Sequence, residues 1–174
     1  FIAPIVILFM NSFKSKLFIN STPFAFPNAD SFVGLANYGE GMIKTGFLQA
    51  FFITLFITVA SVFLIVMLTS MTAWYLVRVK SRFTKVMYYL FAFAMIVPFQ
   101  MVMFTLSKFA NLLHLSNPLG IIVVYLGFGA GLAVFMFTGF VKGISLEIEE
   151  AAMIDGCTPL QTFFKVVFPI LKPT

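Results

Sequence analysis

The sequence predicts an all-α protein that crosses a lipid bilayer several times. Three observations carry that reading: an extreme composition, uncharged runs of membrane-spanning length, and basic residues gathered where those runs end. Hydrophobic residues make up 61% of the chain and charged residues 10%, against about 45–50% and about 25% in a soluble globular domain. A chain of 174 residues with so few polar groups cannot coat an aqueous surface, so lipid must form part of its solvent.

A helix needs roughly 20 apolar residues to cross a hydrocarbon core. Residues 1–10 are apolar but too short, and read as the tail of a first span. From 11 to 46 the chain turns polar and rich in breakers (Pro23, Pro27, Gly34, Gly39, Gly41), with Phe24, Phe26, Phe32 and Tyr38 interleaved. That density predicts a folded-back loop with one short helix. Residues 47–77 carry no charge and form the next span, with Trp74 and Tyr75 placed as an aromatic belt. A third span is expected over 86–107, interrupted by Pro98, and a fourth over 119–141. Glycines along the fourth, among them Gly129 and Gly131, would let neighbouring helices approach closely.

Arg78, Lys80, Arg82 and Lys85 crowd one short connection, and Lys142 ends the last span. Positive residues mark the cytoplasmic side, which puts 11–46 outside and 142–174 inside. Lys14 and Lys16 oppose that orientation but are outnumbered. The chain opens at Phe1 within an apolar run and stops at Thr174 after a proline, which reads as a single membrane domain incomplete at both ends.

The net charge of +5 does not indicate nucleic acid, because the cations flank apolar runs and build no basic face. One cysteine, Cys157, permits no intramolecular disulfide, and one histidine, His114, leaves no partner for a metal site. His114 reads as a polar loop residue at the membrane surface.

The segment Gly143–Thr174 holds four of the six acidic residues, Glu147, Glu149, Glu150 and Asp155. Ser145 can cap a helix over 146–155, with Glu147 and Glu149 near its positive end. Gly156 suits the left-handed position that terminates helices. Thr158, Pro159 and Gln161 then form the start of a second helix with a capping box, apolar until Pro169 interrupts it. Two readings fit: an interfacial helix–turn–helix, or a docking knob. In the second, Ala151 and Ala152 sit flush in a partner's groove while Glu150 and Asp155 face its basic or amide groups.

Glu150-Ala151-Ala152, Asp155-Gly156 and Phe168-Pro169 resemble the loop of permeases in bacterial binding-protein-dependent ABC importers. The fuller string EEAAMIDGCTPLQTFFKVVFPILKP resembles the sugar branch, and Ile96–Gln100 with Leu115–Leu119 resembles maltose-type permeases. Cys157 departs from the usual alanine and reads as a packing substitution. The resemblance implies a helical bundle with a cytoplasmic coupling helix, six spans in the whole subunit, and a place in the bacterial inner membrane. It implies a second permease, an extracytoplasmic sugar-binding protein and a cytoplasmic ATPase as partners. Glu149, Glu150, Ala151, Ala152, Asp155, Gly156 and Pro169 would couple to that ATPase.

No GxxxxGK[ST] phosphate loop occurs in the chain, so ATP and Mg would belong to the partner and this chain would bind no cofactor. It contains no catalytic set and reads as a transport subunit, not an enzyme. Gln100 and Asn111, polar groups near the outer half of a span, are the pathway candidates, although a helix–helix hydrogen bond serves Gln100 equally. The rivals are an ion-coupled secondary transporter and a membrane scaffold. The first usually places ionisable groups inside spans, and the complete spans here contain none.

Overall fold

The computed structural model describes residues 1–172; Pro173 and Thr174, the last two of the expected inner segment, lie outside the described residues. Among those residues the chain is helical, with one isolated bridge between Lys14 and Phe32 and no strand. By its contacts the chain falls into two compact units, Phe1–Thr54 and Leu55–Thr174.

The first unit holds α1 (Ala3–Asn11), α2 (Lys16–Ser21), α3 (Ala36–Lys44) and the first turns of α4 (Phe47–Arg78). The 11–46 segment thus has two short helices, not one. It is held by side chains that donate to backbone carbonyls. Asn11 Nδ2 donates to the Ile7 and Pro23 carbonyls (2.9 and 2.7 Å), and Asn37 Nδ2 to those of Ser12 and Lys14 (2.8 and 2.7 Å). Lys14 is 0% exposed, and its ammonium donates to the Thr22 carbonyl at the C-terminal end of α2 (2.9 Å). A cation there also meets the negative end of the helix dipole. Lys14 is therefore tied into the loop by a hydrogen bond and is not a free surface lysine.

In the second unit, α4 continues to Arg78, followed by α5 (Arg82–Ile96), α6 (Phe99–Leu112) and α7 (Pro118–Lys142). By length and composition α4 and α7 can each cross a membrane. The run expected as one span over 86–107 is instead two helices meeting at 104°. The cause is local. Pro98 supplies no backbone N–H, and it forces Val97 out of the helical region, to φ −70°, ψ 116°. Close packing of the α7 glycines holds at two of them. A methyl group at Gly131 would come within 3.0 Å of the Phe91 carbonyl oxygen on α5, and one at Gly129 within 3.0 Å of Ile65 on α4. Gly127 and Gly139 meet nothing within 4 Å.

His114 adopts φ +56°. It closes α6 with the paired bonds of a Schellman motif, Leu115 N–H to the Ala110 carbonyl and His114 N–H to that of Asn111.

Candidate functional site

The segment after α7 folds as its local signals predict, up to one exception. Ser145 Oγ accepts the Glu147 N–H and starts α8 (Leu146–Ile154). Gly156, at φ +89°, ends it: Cys157 N–H bonds the Ala152 carbonyl and Gly156 N–H that of Met153, both at 3.0 Å. This is again a Schellman motif, with Cys157 and Ala152 at the two positions that characteristically touch. Thr158 and Gln161 form the reciprocal capping box of α9 (Pro159–Thr162).

The exception is Pro169. The sequence has it interrupting the second helix, yet apolar helix runs on to Leu171. A π-helical turn, Phe163–Val167, precedes it, in which Phe168 N–H reaches back to the Phe163 carbonyl. α10 (Phe168–Leu171) then starts with Pro169 in its first turn, where a missing N–H is tolerated.

These helices pack against the ends of α4 and α7. Phe163, Val167 and Leu171 are buried with Val141 and Ile144, against Met71, Trp74, Val77 and Phe137. The Phe163 ring lies 5.5 Å from that of Trp74. Burying a side chain of that size contributes about 1.5–3 kcal/mol, so this cluster anchors the segment.

A charged bond fixes its orientation. Glu149 is 1% exposed and both of its oxygens are occupied. Arg78 donates to Oε1 through Nε (2.9 Å) and Nη2 (2.6 Å), while Trp74 Nε1 donates to Oε2 (2.8 Å). Arg78 Nη2 also donates to the Ile144 carbonyl (2.9 Å). The carboxylate is thus fully satisfied in a dry setting, the condition under which a buried pair is tolerated.

The predicted coupling residues therefore divide. Glu150, Ala151, Asp155 and Gly156 are exposed together, with Ile154 at 86% beside them, while Ala152 is half-buried. Glu149 instead faces inward, bonded to Arg78 and Trp74. Pro169 is exposed on the following helix. Gln100 and Asn111 are exposed near opposite ends of α6, eleven positions or about 16 Å apart along its axis. Asn111 borders a cavity of about 630 Å³ with Thr105, Lys108 and His114, but Gln100 does not.

Arg78 and Trp74 are the residues that sequence reasoning assigned elsewhere, as a topology signal and a belt aromatic. Their partner lies 71 and 75 positions away, and neither local pattern nor charge spacing points to it.

The chain matches, over residues 65–174, the family described as binding-protein-dependent transport system inner membrane component. It belongs to that family. The match begins within α4 and takes in Arg78, Glu149 and the whole segment after α7. As a multi-pass inner-membrane component, the chain resembles permease subunits, not enzymes. It is 38% identical over 173 residues to the "Probable starch degradation products transport system permease protein AmyC" of Thermoanaerobacterium thermosulfurigenes, covering 99% of this chain and 62% of that one. It is 32% identical to the "Multiple sugar-binding transport system permease protein MsmG" of Streptococcus mutans, covering 98% and 61%. The "Melibiose/raffinose/stachyose import permease protein MelC" of Bacillus subtilis is likewise 32% identical, with the same coverage of 98% and 61%. The chain thus spans about three-fifths of the length of these relatives.

Proposed function

We propose that this chain is part of the transmembrane subunit of an ATP-driven carbohydrate importer, and that α8 is its point of contact with a separate ATPase. The observation that carries this reading is the division of α8 into two faces. Glu150, Ala151, Asp155 and Gly156 stand open, while Glu149, next to Glu150 in the chain, is buried and locked to Arg78 and Trp74 of α4. A partner that moves the open face must move the end of α4 with it. Coupling in this sense is a difference in free energy between inward- and outward-open states, and a rigid joint transmits it with little loss. The sugar relatives supply the substrate class. The topology completes the reading: 11–46 outside, 142–174 inside, one permease domain in all, with a second permease and a sugar-binding protein as partners. ATP and Mg belong to the ATPase.

The test uses the complete polypeptide with Ala151→Cys in a Cys157→Ala background. Ala151 is the better reporter because Ala152 is half-buried. A crosslink to the ATPase subunit that changes with ATP is the expected result. A clean absence, with the protein inserted and the thiol reactive, would overturn this reading in favour of an ion-coupled transporter.

A further inference from the structure

The basic connection between α4 and α5 forms more than a topology signal. A cavity of about 740 Å³ opens there, bordered by Lys80, Arg82 and Lys85, by Lys142 at the end of α7, and by Tyr88 and Thr138. Arg78 also borders it but is committed to Glu149. Among the described residues the ion pairs are Lys44–Glu40 and Arg78–Glu149, so the four lysine and arginine groups around the cavity have no acidic partner there. Lys142 instead lies 5.5 Å from the centre of the Tyr88 ring. Thr138, 3% exposed, has a hydroxyl without a hydrogen-bond partner on the same wall. Four gathered cations and an unmet hydroxyl call for an anion.

The surroundings decide which kind. The cavity sits where apolar helices end, the depth at which lipid headgroups lie. From it runs an exposed apolar stripe on α5: Val86, Tyr89, Leu90 and Phe93, at the i, i+3, i+4, i+7 spacing of one helix face. The other face of α5 packs against α7 through Phe91 and Gly131. A ligand matching both parts is an amphiphile, with a phosphate at one end and hydrocarbon at the other. A free phosphate would leave the stripe unused, and an acidic peptide would have no call for it. We propose that this cavity seats the headgroup of an anionic phospholipid, whose acyl chains lie along the α5 stripe. Basic pockets between membrane helices are suited to this chemistry, and each surface cation adds about fivefold to the affinity.

The experiment is native mass spectrometry of the complete protein in neutral detergent, with phosphatidylglycerol and phosphatidylcholine at equal mole fraction. Wild-type protein should retain one phosphatidylglycerol in preference, and excess inorganic phosphate should not displace it. Arg82→Gln/Lys85→Gln should weaken retention about 30-fold. Arg82→Lys/Lys85→Arg, which keeps the charge, should retain the lipid and serves as the control for folding. Equal retention of both lipids, displacement by inorganic phosphate alone, or unchanged retention in the glutamine variant would each overturn the proposal. So would an acidic segment of this protein or of a partner found crosslinked into the cavity.

Discussion

The segment 11–46 and the segment 143–172 both interrupt the apolar helices, and both are rich in helix-ending residues, yet they are held in opposite ways. In the first, the ties are local. Lys14 reaches Thr22, Asn11 reaches Pro23, and Asn37 reaches Ser12 and Lys14. In the second, the caps are local but the anchoring is remote, through Arg78 to Glu149 and through Phe163 to Trp74. A locally tied loop can shift without transmitting anything. A loop bonded to the end of a membrane-length helix cannot, and the proposed coupling rests on that difference.

Breaking the remote tie should have the largest effect. Arg78→Ala leaves the Glu149 carboxylate buried beside Trp74 alone, which should cost about 3 kcal/mol in thermal unfolding of the purified protein. Arg78→Met/Glu149→Met should recover most of that loss, because no charge remains stranded. A double variant as unstable as the sum of the two single ones would show that the pair does not act as a unit. The local loop offers a smaller effect. Lys14→Met removes one charged hydrogen bond worth about 1.5–3 kcal/mol. Faster amide exchange should follow at Ser15 and Val33, which bond the Ser31 and Phe13 carbonyls. Exchange over 146–171 should not change, and a change there would erase the contrast between the segments.

The smallest effect belongs to Glu40 on α3. Its hydrogen bond to Lys44, and then the lysine charge, hold its carboxyl below the usual carboxylate range. A lowered value means that the contribution is present at neutral pH and lost as pH falls through that value. Both side chains are well exposed, so solvent and salt screen the pair. Glu40→Gln should leave the unfolding temperature unchanged at pH 7, and a measurable drop would show that the first segment leans on this pair.

What the sequence made legible follows the same contrast. Ser145, Gly156, Thr158 and Gln161 act on backbone groups within a few residues, and each has its expected geometry. Lys14 misleads because burial of a lysine depends on how a loop folds back, which no short pattern records. Pro169 misleads because its effect depends on the π turn ahead of it. Glu149 looks like one acid among four, and only the fold separates it from Glu150. The two are adjacent in the chain but about 100° apart around the helix, one buried and one exposed.

The sharp bend at Val97–Pro98 carries a requirement about solvent. A helix end leaves backbone groups without partners, and at this elbow two ends meet, with no side chain capping the start of α6. Hydrocarbon offers such groups nothing, and each unmet one costs several kcal/mol there. Broken helices persist at membrane depth only where protein or a wet cavity covers the break. If the bent pair lies within the bilayer, its elbow must therefore be shielded from lipid, and Gln100, two residues beyond Pro98, stands beside that break.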